Sequence, residues 1–303
     1  MDRAELLHKI STFPLIASVL AEYLWSGDFP SIFKGQGIEA DEVRHYQRGD
    51  DVRTIDWNVS ARFGTPYVKR YREDRELRVF LLVDCSASMY CGSTPLSRYE
   101  QALLCAGLIA FSANHAGQSL GALFFDRAIS HIFPARKGRA HIMAIISRAL
   151  SIRAKAGGSD LEAALTGAGR LLKQRALVVV ISDFLSIHWE QALGRLCHTH
   201  DVIALRIEDP LDRDMAGLGL ISLEDPETRL AYQVPASFPG FRAAWSAWHE
   251  QHYRSCQGIC RSAGAAFLNI STGDDAPAQL IRFFGKRSIP RQRGPRKSSG
   301  SSL

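Results

Sequence analysis

Two uninterrupted apolar runs that each stop on a carboxylate constrain the fold of this chain more than any other feature. The first is Arg78-Val-Phe-Leu-Leu-Val-Asp84-Cys-Ser86-Ala-Ser88-Met89, in which Val79 to Val83 are all apolar. The second, Ala176-Leu-Val-Val-Val-Ile181-Ser182-Asp183, repeats the pattern. Neither alternates apolar with polar residues, so each reads as a strand covered on both faces, as in a parallel sheet between helix layers. In open α/β sheets ligands sit in the crevice beyond the carboxyl ends of the strands. Asp84, Ser86 and Ser88 would then lie on one loop facing that crevice.

The rest of the chain supplies the helices and edges such a sheet needs. Residues 4–26 show helical spacing (Leu6, Leu7, Ile10, Leu15, Ile16, Val19, Leu20, Leu24), with Pro14 expected to break or kink it. From Ser31 to Arg78 short β-prone pieces alternate with glycines and charges, which reads as a small β-rich subdomain. In its middle, Asp50, Asp51 and Asp56 stand among Arg53 and Arg62 around Trp57. That grouping predicts a salt-bridged turn anchored by a buried Trp57, or else arginines with a catalytic or phosphate-binding role.

Ser97-x-x-Glu100 is a capping box that should start a helix running to about Asn114. Ser119 to Phe125 and Ile129 to Phe133 predict a hairpin at the sheet edge, turning at Asp126-Arg127. Helices follow at 141–150 and 160–173, then the second Asp-terminated strand, a helix at 189–198 and a strand at 202–207. A hairpin at 218–234 turns at Glu224-Asp-Pro226, and the chain closes with a helix at 241–260, a strand at 266–270 and a helix at 276–284. Strands alternating with helices define a doubly wound, mostly parallel α/β domain with helices on both faces. The expected divisions are an N-terminal helix and β-rich piece at 1–77, the α/β domain at 78–285 and a tail at 286–303.

Composition narrows the function. The net charge of +6 comes from the tail, where Lys286, Arg287, Arg291, Arg293, Arg296 and Lys297 face no acids; without them bases and acids are equal at 31. The basic pI is therefore no argument for nucleic-acid binding by the folded body. Pro290, Gly294, Pro295 and the Ser/Gly-rich ending predict a disordered tail that contacts anionic surfaces weakly at most. The six cysteines are scattered through apolar runs, as in a reduced cytoplasmic protein, and Cys256-x-x-x-Cys260 lacks the second pair a zinc site needs. No run of eighteen apolar residues and no signal-peptide pattern is present.

Asp84, Ser86, Ser88, Ser159 and Asp183 together offer two carboxylates and three hydroxyls at one end of a parallel sheet. Hard oxygen donors with little direct negative charge suit Mg²⁺, with Mn²⁺ or Ca²⁺ as alternatives, and leave the ion able to accept an outside carboxylate. Gly157 and Gly158 would let the backbone pass close to the ion. Plainer readings exist for each group. Ser159 with Glu162 is also a capping box, Ser86 and Ser88 could bond their own loop, and His198-x-His200-Asp201 reads as cations at a helix C-terminus. Haloacid-dehalogenase-type phosphatases need a second acid two residues after the first, where this chain has Ser86. Neither Gly-x-Ser-x-Gly nor a phosphate loop occurs.

Asp84-x-Ser86-x-Ser88, Ser159 and Asp183 resemble the metal-ion-dependent adhesion site of von Willebrand factor A-type domains. Gly49-Asp-Asp-x-Arg53-x-Ile-Asp56-Trp57-x-x-Ser-Ala61-Arg62 resembles the bacterial domain of unknown function 58 family. One departure is Ser159, where a threonine is usual; either hydroxyl can coordinate. The resemblance implies a MoxR-type AAA+ ATPase as partner and a role in assembling or activating other proteins. The expected function is a non-enzymatic, cytoplasmic, metal-ion-dependent adaptor whose bound ion takes an acidic side chain of a protein partner. The alternative is a metal-dependent, phosphatase-like hydrolase using the Asp84 loop.

Overall fold

The computed structural model describes residues 13–26, 39–47, 55–72, 77–154, 157–215, 218–224 and 230–287. The predicted β-prone piece at Ser31–Gly37, the side chains of Asp50, Asp51 and Arg53, the turn at Asp225-Pro226 and the tail beyond Arg287 lie outside the described residues. By contacts the chain divides into two units, Met1–Asp28 with Leu77–Leu303, and Phe29–Glu76.

Helix α1 (Phe13–Ser26) carries Pro14 in its first turn, where a missing N–H leaves no helical bond unmade. The proline therefore does not interrupt the described helix. Ala17, Leu20 and Ala21 are buried, and by contacts the helix groups with the larger unit, while the smaller unit ends at Glu76, next to the division expected at residue 77.

In the smaller unit, β1 (Glu39–His45) pairs antiparallel with β2 (Tyr67–Arg72), and helix α2 (Trp57–Phe63) lies between them in sequence. The expectation of a buried tryptophan here is overturned: Trp57 is 69% exposed. Asp56 caps α2 instead, its Oδ1 accepting from the N–H groups of Asn58 at 3.0 Å and Val59 at 3.2 Å. Ser60 is the buried anchor. Its hydroxyl donates to the Asp56 carbonyl at 2.6 Å and accepts from the Tyr67 N–H at 2.9 Å.

The larger unit is wound around a six-stranded sheet. In chain order its elements are β3 (Arg78–Asp84), α3 (Arg98–His115), β4 (Ser119–Phe125), β5 (Ile129–Arg136), α4 (Arg139–Ser151), α5 (Leu161–Leu171), β6 (Leu177–Ser182), α6 (Glu190–Thr199) and β7 (Asp201–Glu208). They continue through a single turn α7 (Pro210–Arg213), the hairpin β8 (Leu220–Glu224) and β9 (Ala231–Pro235), helix α8 (Pro239–Ala263), β10 (Ala266–Ser271) and α9 (Ala276–Arg287). The sheet order is β10-β7-β6-β3-β4-β5, parallel except for β5. The chain thus lays β3, β4 and β5 toward one edge, then crosses back to lay β6, β7 and β10 toward the other. The reversal falls between β3 and β6, the topological switch point where such sheets place their ligands.

The two Asp-terminated runs are the two central strands, which explains their unbroken apolar composition. Every residue of β6 and all of β3 after Arg78 is buried. Phe80 and Leu82 join Leu161, Leu165, Leu193, Leu196 and Cys256 from α5, α6 and α8 in one core layer. Leu81 and Val83 face the opposite layer with Leu103 of α3 and Ile145 of α4. Strand β5 alternates between half-buried and exposed residues, as an edge strand must. Among the described residues no helix is long and apolar enough to cross a membrane.

The connection after β7 is held by a residue whose role the sequence did not suggest. Asp209 is 3% exposed and accepts from the Ser93 N–H at 2.8 Å, the Leu211 N–H at 3.0 Å, the Thr272 hydroxyl at 2.9 Å and the Ser93 hydroxyl. Burial alone would raise its carboxyl pKa, yet the Ser93, Leu211 and Thr272 bonds together hold it below the ordinary value. Asp209→Ala is expected to destabilise the fold by about 3 kcal/mol or more, because several donors lose one acceptor. A folded pKa below the unfolded one gives stability that is complete above pH ~4 and lost as pH falls further. Urea midpoints between neutral and acid pH should fall more steeply in the wild type than in the variant; parallel curves would refute this role.

Candidate metal centre

The C-terminal end of β3 delivers Asp84, which is fully buried. The chain then turns sharply: the Ser86 N–H donates to Asp84 Oδ1 at 2.9 Å, and a 3₁₀ turn at Ala87–Tyr90 follows. Strand β6 ends at Ser182, and Asp183 begins the loop beyond it. The Ser88 hydroxyl donates to Asp183 Oδ2 at 2.6 Å and stands 3.2 Å from the Ser86 hydroxyl. From the third segment, the Ser159 hydroxyl donates to Asp84 Oδ2 at 2.9 Å. All five residues singled out in the sequence therefore meet in one hydrogen-bonded cluster at the switch point.

The plainer reading of Ser159 is settled by its neighbour. Asp160, not Ser159, is the N-cap of α5, its side chain accepting from the Ala163 N–H at 2.8 Å. Gly157 and Gly158 have φ of +114° and +75°, a region that side chains with a Cβ rarely enter, and they turn Ser159 toward Asp84. A Cβ at Gly157 would also come within 2.6 Å of Arg127 Cδ. Ser88 bonds across to Asp183 rather than to its own backbone. The reading of His200 as a cation at a helix end is corrected: the residue is 3% exposed. Burial, then the charge of Arg175, holds its imidazole below the usual pKa.

Two contributors were missed. The Ser182 hydroxyl donates to Asp84 Oδ2 at 2.7 Å and accepts from the Phe184 N–H at 3.0 Å. The signal for it was the register: Val83 pairs with Ile181, which sets Ser182 level with Asp84. Arg98 reaches the Ser88 carbonyl through Nη1 at 3.1 Å while its Nη2 grips both oxygens of Asp212, at 2.7 and 2.9 Å. The loop beyond Asp183 is held in an unusual backbone state, with Phe184 at φ 59° and His188 at φ 65°. The Leu185 N–H donates to Asp183 Oδ1 at 3.0 Å.

The donor set fits a hard divalent cation. Burial, and next the charge of Asp183, push the Asp84 carboxyl up to about 6, against the lowering effect of its Ser86 and Ser182 bonds. Two carboxylates thus share a nearly dry site. Among the described residues no Lys, Arg or His side chain forms an ion pair with either. Ser88 and Ser159 each donate their one proton to a carboxylate, which leaves hydroxyl lone pairs to face a cation. No group of three or more His, Cys, Asp or Glu side chains placed to hold a metal occurs among the described residues. A soft-metal centre is therefore not what these donors make, whereas oxygen-rich coordination suits Mg²⁺, Mn²⁺ or Ca²⁺.

Fold and cluster together define a doubly wound α/β domain with a hydroxyl-lined, doubly acidic crevice at its switch point. The chain belongs to the family described as Protein of unknown function DUF58, which it matches over residues 42–255. It is 31% identical over 290 residues to the uncharacterized protein Rv1480 of Mycobacterium tuberculosis, covering 95% of this chain and 91% of that protein. It is also 31% identical over 159 residues to the uncharacterized protein MAV169 of Mycobacterium avium, covering 51% of this chain and 92% of that one. Among solved structures it is similar to the conserved hypothetical protein BatB from Bacteroides thetaiotaomicron, with 15% identity and a TM-score of 0.47 over 70% of this chain and 98% of that chain. The pilus adhesin SpaC from Lactobacillus rhamnosus GG aligns with 13% identity and a TM-score of 0.45 over 72% of this chain and 30% of that one.

Proposed function

We propose that this protein is a metal-ion-dependent protein-binding adaptor of the von Willebrand factor A type, and not an enzyme. Asp84, Ser86, Ser88, Ser159 and Asp183 would hold the ion, Mg²⁺ by preference and Mn²⁺ or Ca²⁺ as alternatives. The observation that supports the reading is the convergence of these five oxygen-bearing side chains, from three distant segments, into one hydrogen-bonded cluster with two carboxylates and, among the described residues, no ion-paired base. When bound, the ion supplies an electrophilic centre able to accept a carboxylate oxygen from outside the chain.

The chain's own residues perform the rest. Asp84 and Asp183 provide the charge, while three serines keep that charge low enough for an outside acid to be attractive. Ser182 and the Ser86 N–H orient Asp84, and the Leu185 N–H orients Asp183. The partner is a protein presenting an acidic side chain, for which the family resemblance points to a MoxR-type AAA+ ATPase, and the setting is cytoplasmic.

The test is capture from the native host on the immobilised full chain, with Mg²⁺ and with excess chelator. An AAA+ ATPase retained with Mg²⁺ and released by chelator is the expected result. Equal retention under both conditions would sink the metal-dependent reading, and phosphoester turnover by the chain alone would replace it with the hydrolase alternative.

A further inference from the structure

Beside the Asp84 cluster stands an arginine that the fold positions and leaves unpaired. Arg127 is the exposed corner of the turn between β4 and β5. That turn is fixed from two sides. The Asp126 N–H donates to the Ala128 carbonyl at 3.1 Å and the Ala128 N–H to Asp126 Oδ1 at 3.2 Å, while the Asp160 N–H donates to the Asp126 carbonyl at 2.8 Å. The last bond ties the corner to the segment that carries Ser159.

The side chain is seated as well. It lies across Gly157, where a Cβ would come within 3.1 Å of its Nη1 and 3.2 Å of its Nε as well as meeting its Cδ. A side chain at position 157 would therefore displace it. Yet among the described residues the guanidinium has no hydrogen-bond or ion-pair partner, and the adjacent Asp126 turns its Oδ1 to the Ala128 N–H instead. Arg153, just beyond α4, is also exposed and without an ion-pair partner among the described residues. Burial chiefly raises the Tyr90 pKa and the charge of Arg153 works against it, which sets a second base near the turn that carries Ser88.

Holding an arginine in one place costs rotamer freedom, and here no contact within the chain offsets it. Its planar fork matches a carboxylate through two parallel hydrogen bonds. Charge selects the same ligand. Asp84 and Asp183 neutralise a bound divalent cation, so an incoming carboxylate leaves the crevice negative, and a base on the rim offsets that charge. Two residues of chain lead from Gly157 to Ser159, a span of about 7 Å at most. In an extended segment, side chains at i and i+2 lie on one face at about that same spacing.

We infer that Arg127 is a second anchor for the protein partner, gripping a carboxylate two residues away from the one offered to the ion, so that the recognised segment carries an acid-x-acid pair. Arg153 adds positive charge to the same rim. The inference rests on the metal reading and extends it from one acidic side chain to a spaced pair.

The test uses the isotope-labelled full chain in Mg²⁺ with two peptides, acetyl-Glu-Ala-Glu-amide and acetyl-Glu-Ala-Gln-amide. The Arg127 Nε–H resonance, identified by its absence from Arg127→Gln, reports contact at the guanidinium, and calorimetry measures Mg²⁺ affinity separately. The diacid is expected to shift that resonance and to bind about tenfold more tightly than the single acid. Arg127→Gln should abolish the preference, and Arg127→Lys, which keeps the charge but not the fork, should restore only part of it. Neither variant should weaken Mg²⁺ binding, because Arg127 is not a ligand of the ion. Equal binding of the two peptides by the wild type, a preference that survives Arg127→Gln, or no saturation by about 10 mM would overturn the inference, whereas the calorimetric titration decides the metal reading by itself. Inorganic phosphate shifting the Arg127 resonance at lower concentration than the diacid would assign the arginine to a phosphate group and overturn the acid-pair reading.

Discussion

Asp84→Asn is expected to weaken Mg²⁺ binding at least ~100-fold, beyond the loss typical of replacing a group that only orients a ligand, while leaving the fold intact. The reason lies in the hydrogen bonds. Asp84 Oδ1 accepts from the Ser86 N–H, and Oδ2 accepts from the hydroxyls of Ser159 and Ser182. An asparagine keeps its carbonyl for the Ser86 N–H, and the two hydroxyls rotate to accept from its amide. The substitution also removes the repulsion from Asp183 that helps raise the Asp84 pKa. Metal-free Asp84→Asn should therefore melt no lower than the metal-free wild type. Added Mg²⁺ should raise the melting temperature of the wild type alone, as any ligand of the native state does. Calorimetric titration and thermal melts check both halves; full-strength Mg²⁺ binding by the variant would remove Asp84 from the site.

The largest loss of stability is expected for Arg98→Met. Arg98 and Asp212 form an ion pair at 2.7 Å with side chains only 11% exposed at each end. Removing one partner strands the other's charge in a dry setting, at a cost of about 3–5 kcal/mol. It also frees the carbonyl of Ser88, whose neighbours set the rim of the candidate metal centre. Removing both charges in Arg98→Met with Asp212→Leu should recover much of that stability, because an apolar pair of similar volume is often as good as a buried ion pair. Urea unfolding of the single and double variants decides the matter. A single variant within about 0.5 kcal/mol of wild type, the usual effect of a surface change, would mean the pair contributes nothing.

Much of the fold and the core of the site could be read from local sequence. Continuous apolar runs ending at Asp84 and Asp183, the Ser97–Glu100 capping box and the hairpin at Asp126-Arg127 are patterns of neighbouring residues, and each appears in the structure. Ser86 and Ser88 were legible because they follow the first strand end, and Ser159 because two glycines precede it at a helix start. What stayed hidden depends on partners far away in the chain. The Asp212 that fixes Arg98 and the Thr272 that bonds Asp209 leave no periodic trace. Ser182 required the register between β3 and β6, not merely their existence. Trp57 was misread because a large aromatic among charges suggests burial, whereas the polar cap at Asp56 and the small anchor Ser60 suffice to hold that helix.

The crevice is assembled across long loops of chain. Ser159 reaches Asp84 over 75 residues, Ser88 reaches Asp183 over 95, and Ser182 reaches Asp84 over 98. Closing such spans before any contact rewards them is slow, as for parallel sheets in general. No fragment that ends before β6 contains both acids, so a nascent or truncated polypeptide of that length cannot assemble the cluster. The cluster is therefore a late product of synthesis: whatever chemistry it carries is lacking in any chain that stops short of Asp183.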